Sequence, residues 1–201
     1  MNDIEIEVKF HLEHAEAVRR RILSLVGKSS DRVFEINYRF DTPQLDLMRR
    51  SALLRLRRDT RCTLTYKASL KAADNEFKAR RELEVEVGDF DTTRRIIEAL
   101  GFKRTQIYEK YRQSFMVGNS TLCIDNMPYG DFLEIEGSRA DIRQLAQQLK
   151  MDWPQRILTN YVAIHNLLRQ GEGLDFTDIT FDNFRGIVID WEQYLPRITA
   201  G

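Results

Sequence analysis

The chain has 201 residues, enough for one domain that buries its own core. Its 31 Lys and Arg balance 31 Asp and Glu, so no net field draws it onto nucleic acid or an anionic membrane. No apolar run approaches the length of a membrane-spanning helix. Residues 1–10 are charged, so no leader peptide is read there, and a reducing, cytoplasmic setting is expected. Cys62 and Cys123 stand far apart in apolar surroundings, and His11, His14 and His165 form no ligand pattern. The basic residues are unevenly chosen, 23 Arg against 8 Lys, and Arg is the side chain that grips phosphate or carboxylate as a fork.

In chain order, Ile4 to Phe10 alternates apolar and charged residues without error and predicts a strand. Residues 13–26 place Ala17, Val18, Ile22, Leu25 and Val26 on one helical face, with Gly27 as a stop. Strands are predicted at 33–41, 52–59 and 62–68, followed by a polar loop at 70–78 that is expected to be mobile. A strand at 79–87 ends at Gly88, and Asp91 or Thr92 is placed to cap a helix that closes at Gly101. Strands at 103–117, 120–126 and 131–137 are separated by Gly118-Asn119 and Pro128-Tyr129-Gly130. Helices at 138–149 and 158–170 end the main body. The tail, 171–201, carries Phe176, Phe181, Phe184, Trp191 and Tyr194, whose apolar area is expected to dock on the domain.

Successive side chains of a strand point to opposite faces. Glu5, Glu7 and Lys9 therefore share a face opposite Ile4, Ile6 and Val8. Arg55 and Arg57 share one, as do Thr63, Thr65 and Lys67; Arg80, Glu82, Glu84 and Glu86; Lys110 and Arg112; and Glu134 and Glu136. The plain alternative is an open sheet with its charged face in water. Doublets of one sign argue against it, because like charges on neighbouring positions repel unless a counter-charge or ligand lies between them. Acids gather on the first, fifth and last strands and cations on others, a split suited to a divalent cation on one side and its polyanionic ligand on the other.

At these residues the sequence resembles the CYTH superfamily, the triphosphate tunnel metalloenzymes. The resemblance rests on Glu5-Ile6-Glu7-Val8-Lys9, Phe40-Asp41-Thr42, Leu54-Arg55-Leu56-Arg57 and Leu64-Thr65-Tyr66-Lys67. It continues through Arg80-Arg81-Glu82-Leu83-Glu84, Lys110-Tyr111-Arg112, Ile124-Asp125 and Gly130 to Glu136, in order over residues 1–170. It implies an α+β fold: a closed eight-stranded antiparallel β-barrel, charged inside, with helices packed on its outside. Residues 1–170 would form this tunnel domain, and 171–201 match no motif of the family. The HF motif of the class IV cyclase branch has no clear equivalent, and Leu53 stands where the thiamine-triphosphatase branch has a Trp.

The resemblance further implies a divalent-metal-dependent triphosphatase using Mg²⁺ or Mn²⁺. The expected metal ligands are Glu5, Glu7, Glu134 and Glu136, supported by Asp125 and Glu82. Lys9, Arg55, Arg57, Lys67, Lys110 and Arg112 would hold the triphosphate. Arg80 and Glu84 are expected to pair across the tunnel as supports. Asp41 reads as a turn cap and Tyr161 as core, and no general base is assigned. The partner implied is a small molecule carrying a triphosphate, with neither nucleic acid nor membrane involved, bound by a monomer or homodimer. A cyclase making cyclic AMP from ATP, and a non-catalytic polyphosphate-binding module, are the alternatives.

Overall fold

The computed structural model describes residues 4–25, 29–70 and 76–200. Eight strands alternate in pairing so that every neighbour is antiparallel: β1 (Ile4–Leu12), β2 (Val33–Asp41), β3 (Ala52–Arg58), β4 (Cys62–Ser69), β5 (Lys78–Val87), β6 (Lys103–Val117), β7 (Ser120–Met127) and β8 (Gly130–Glu136). They close into a barrel in the order β1-β5-β4-β3-β2-β6-β7-β8. Hairpins account for β3–β4–β5 and β6–β7–β8. Closure depends on three long-range pairings, β1 with β5, β1 with β8, and β2 with β6.

The alternation that puts charges inside puts the core outside. Helices α1 (Ala15–Leu25) and α4 (Arg139–Gln148) cover the outer faces of β1 and β6–β8, where Val8, Phe10, Leu122, Leu133 and Ile135 meet Ile22, Ile142 and Leu149. All of these are at most 1% exposed, and each such burial contributes roughly 1.5–3 kcal/mol. Helix α3 (Phe90–Ala99) covers β2 and β3 through Phe90 and Ile97 on Phe40 and Leu56. Its cap is Asp89, which accepts from Thr92 N at 2.6 Å, rather than Asp91 or Thr92. The helix expected at 13–26 is α1, and its stop at Gly27 lies outside the described residues, as do positions 71–75 of the polar loop.

A short helix, α2 (Asp46–Arg49), was not foreseen. Asp41 builds it, accepting from Thr42 N and Leu47 N on Oδ1 and from Met48 N on Oδ2, so the capping reading of Asp41 holds. The last helix of the main body, α5 (Tyr161–Glu172), starts three residues later than its apolar pattern suggests. Asn160 caps it by accepting from Ala163 N, and residues before it are held extended by the Ile157 bridge to Lys9.

One end of the barrel interior is apolar. Along β7 and β8 the inward positions change from Asp125 and Glu134 to Met127 and Phe132, which join Tyr161, Ile164, Leu168 and the tail residues Ile179, Phe184 and Tyr194 in one cluster. The tail also satisfies a strand edge. β7 pairs with β6 only from Tyr111 onward, and the uncovered stretch of β6 bonds instead to Ile179, through Ile179 N to Ile107 O at 2.9 Å and Glu109 N to Ile179 O at 2.8 Å. Helix α6 (Trp191–Ile198) then returns to α5. Tyr194 Oη approaches so closely that a Cβ on Gly171 would lie 2.2 Å from it, which is why that position has no side chain.

His165 sits where α5 meets this tail, fully buried, stacked on Phe176 and edge-on to Phe184, and neither ring nitrogen has a hydrogen-bond partner. Burial, then Arg169, push its pKa from 6.5 down to about 4. The unfolded chain takes up this proton near pH 6.5 and the folded chain only near pH 4. Stability should therefore be complete above pH 6.5, fall by on the order of 2 kcal/mol between those values, and level off below them. Denaturant titrations of the wild type and His165→Phe across that range should differ by this segment. Parallel curves would show that His165 contributes nothing to it.

Candidate active site

Barrel order brings together strands that are distant in the sequence. β8, β1 and β5 are consecutive and carry Glu134 and Glu136, Glu5 and Glu7, and Glu82 and Glu84 inward. β3, β2 and β6 are consecutive on the opposite arc and carry Arg55, Arg57, Arg39, Lys110 and Arg112. All these side chains line one cavity of about 550 Å³, together with Lys9, Lys67, Lys78, Arg80, Tyr108 and Tyr161. Apolar lining is confined to Met48, Ala52, Leu53 and Val162.

The charges are locked in pairs. Lys67 Nζ lies 2.6 Å from Glu5 and 2.7 Å from Glu82, and Lys9 Nζ lies 2.8 Å from Glu7 and 3.0 Å from Glu134. Lys78 bonds Glu7, and Arg112 bonds Glu134. Glu84 faces Arg55 at 3.5 Å and Arg57 at 3.6 Å, and Thr65 Oγ1 accepts from Arg55 while donating to Glu84. Three of the lining charges, Glu136, Arg80 and Arg39, have no ion-pair partner among the described residues, and Arg39 donates to Gln106 instead. Glu84 pairs with the arginines of β3, whereas Arg80 has no ion pair among the described residues.

Behind the basic arc lie two buried acids that do not line the cavity. Asp125, fully buried, accepts from Arg112 Nε and Nη2, both at 2.6 Å, from Lys110 at 2.9 Å and from Tyr161 Oη at 2.8 Å. With its oxygens so occupied, the carboxylate expected as a supporting metal ligand points at cations instead. Glu35, 2% exposed, faces Lys110 at 3.5 Å, Arg57 at 3.8 Å and Arg112 at 3.9 Å. Burial would raise its pKa, yet Lys110, Arg112 and Arg57 hold it down to about 2.

The acidic arc is less compensated. Burial, with Glu7 and Glu82 close by, raises Glu5 to about 7 despite Lys67. Burial also raises Glu136, with Glu7 and Glu82 adding to it. Excess negative charge on hard oxygen donors suits a hard divalent cation. Among the described residues no three acidic, histidine or cysteine groups form a ready-made cage, since the glutamates lean on lysines. The donor set therefore fits such an ion by its chemistry and its crowding.

Glu35, Lys78 and Tyr108 were not singled out in the sequence, and Tyr161 was assigned to the core. Alternation in 33–41 would have put Glu35 inward with Asn37 and Arg39, and alternation in 103–117 would have put Tyr108 beside Lys110. Lys78 had no such signal, because β5 begins one residue earlier than its pattern suggests. Tyr161 both belongs to the apolar cluster and lines the cavity, with its hydroxyl on Asp125.

Glu35→Gln keeps the shape and removes the charge that faces three cations. Leaving them uncompensated should lower stability by about 3–5 kcal/mol, read from denaturant midpoints, and added sulfate should restore part of it by binding the freed cations. An unchanged midpoint would mean that Asp125 alone balances the arc.

The family model for the CYTH domain matches residues 3–156. A curated relative, a candidate adenylate cyclase of Methanocaldococcus jannaschii, is 29% identical over 143 residues, which are 70% of this chain and 81% of its own length. Among solved structures, a candidate adenylate cyclase from Vibrio parahaemolyticus is 20% identical with a TM-score of 0.70, over 83% of this chain and 99% of the other. A candidate adenylyl cyclase from Hippeastrum, described as having a dominant triphosphatase activity, is 17% identical with a TM-score of 0.55, over 83% of this chain and 96% of the other. At these identities the two structures establish a shared fold. With that fold, the ordered charged strands and a match over residues 3–156, the chain belongs to the CYTH family.

Proposed function

We propose that this chain is a divalent-metal-dependent triphosphatase that hydrolyses inorganic triphosphate or a nucleoside or other organic triphosphate inside the barrel. The observation that carries the reading is the facing of an acidic and a basic arc across one cavity of about 550 Å³. Glu5, Glu7, Glu82, Glu134 and Glu136 would hold Mg²⁺ or Mn²⁺. Such an ion, when bound, polarises phosphoryl oxygens and helps activate water. Lys9, Arg55, Arg57, Lys67, Lys110 and Arg112 grip the phosphate oxygens and offset the charge that develops as the phosphorus–oxygen bond breaks. Asp125 and Glu35 hold those cations from behind. Arg39 and Arg80, which also line the cavity, have no ion pair to break in meeting the polyanion.

Hydrolysis is favoured over cyclisation by the lining. A cyclase must hold a purine and aim a ribose 3′-hydroxyl, and this cavity offers four small apolar contacts and two tyrosines whose hydroxyls are already engaged. The names carried by the Methanocaldococcus and Vibrio proteins favour the cyclase, and the description of the Hippeastrum protein favours the triphosphatase. Incubation with ATP or inorganic triphosphate and each metal, followed by product separation, decides between them. Orthophosphate is expected as the main product. Cyclic AMP as the main product from ATP would establish the cyclase, and tight binding without turnover would establish a binding module.

Role assignment has its own test. Glu136→Gln should lower metal affinity roughly tenfold or more, with activity partly restored by extra metal. Arg55→Ala leaves the proposed ligands in place and removes a phosphate fork. It should raise KM, lower kcat or do both, without rescue by metal. Equal losses in both variants, insensitive to metal, would remove the division of roles.

A further inference from the structure

The match to the CYTH domain stops at residue 156, yet the cavity wall does not. Asn160, Tyr161 and Val162, at the start of α5, complete it. We propose that Tyr161 is a positioning residue that sets how firmly the basic arc is held from behind, and so how freely Lys110 and Arg112 meet a polyanion. The ligand side of this proposal rests on the triphosphate reading above; the positioning side does not.

The geometry is specific. Oδ2 of Asp125 accepts from three donors at once, Lys110 Nζ, Arg112 Nη2 and Tyr161 Oη. Two of these are cations that a phosphate could claim, while the third is neutral and stays. A neutral donor that shares the oxygen weakens its hold on both cations without cancelling their charge. The ring acts on the same groups from another side: Lys9 Nζ lies 5.3 Å and Lys110 Nζ 5.6 Å from its centroid. A π-face attracts ammonium groups without supplying an anion that would compete with phosphate. Burial and the charge of Asp125 push the phenol well above its usual pKa, so it donates throughout the working range.

The position of the ring is itself fixed. Tyr129 Oη donates to Tyr161 O at 2.9 Å, Phe132 packs edge-on with centroids 5.3 Å apart, and Asn160 caps the helix.

Tyr161→Phe removes the hydroxyl and keeps the ring, Tyr161→Leu removes both, and Tyr194→Phe removes a hydroxyl that bonds Glu172 at the opposite end of α5 from Tyr161. Calorimetry with inorganic triphosphate and no divalent metal should show affinity roughly 5- to 10-fold weaker in Tyr161→Phe, weaker again in Tyr161→Leu, and unchanged in Tyr194→Phe. NMR of arginine side chains in the protein alone gives the independent readout. With one donor gone, Asp125 binds Arg112 more tightly, and the Arg112 Nε–H signal should move downfield in Tyr161→Phe and stay put in Tyr194→Phe. An Arg112 signal unmoved in Tyr161→Phe overturns the positioning role whatever the ligand. A wild type that binds no triphosphate overturns the triphosphatase reading, and the Arg112 signal still decides the role of Tyr161.

Discussion

The structure depends on one constraint: a charge taken out of water must meet an opposite charge. An ordinary barrel of this width fills its interior with apolar side chains. Here the interior holds lysines, arginines and carboxylates, and Lys9, at 2% exposed, is among the largest buried side chains of the described residues. Lys9 is tolerable only because Glu7 and Glu134 flank it, and Glu7 only because Lys9 and Lys78 do. Such a network adds little net stability. The cohesive free energy comes from the outer shell, where α1, α3 and α4 press on the apolar backs of the same strands. Stability and chemistry are thus assigned to opposite faces of one sheet.

This division explains the shape of the site. On the proposed reading, a polyanion entering the cavity would exchange one set of carboxylate partners for another set of oxygens, without exposing any cation. The acids it would displace are those of the arc where Glu5 and Glu136 are already crowded. A divalent cation arriving with the polyanion would relieve that crowding. The two buried acids behind the basic arc cannot be displaced in this way, so they keep Lys110, Arg57 and Arg112 in place through the exchange.

Much of this was legible in the sequence, for a simple physical reason. Two-residue periodicity records which side chains share a face, and it put Glu5 with Glu7 and Arg55 with Arg57; that this face turns inward was implied only by the family resemblance. Periodicity cannot record which strands become neighbours, so the contiguity of β8, β1 and β5 had to come from the fold. It is also silent where an element changes type. Lys78 stood at the unmarked start of β5, and Tyr161, at the first turn of a helix, carries an apolar ring and a polar tip that pattern reading counts as one apolar residue. Arg80 failed differently: its strand and face were legible, and its lack of a partner was not. In the tail the aromatics announced burial but not its purpose, which includes satisfying the open edge of β6.

That edge has a consequence for how the protein is made. β1 is synthesised before both of its partners, which lie at residues 78–81 and 131–136. A growing chain therefore carries an unclosed, charge-lined sheet until most of the domain exists, and the contacts that end this state span long stretches of sequence. Even then the backbone at Ile107 and Glu109 waits for Ile179, some seventy residues later in the chain. Until that segment arrives, the nascent barrel offers a free strand to any neighbouring chain, so residues around Ile179 act as a latch against misassembly during translation.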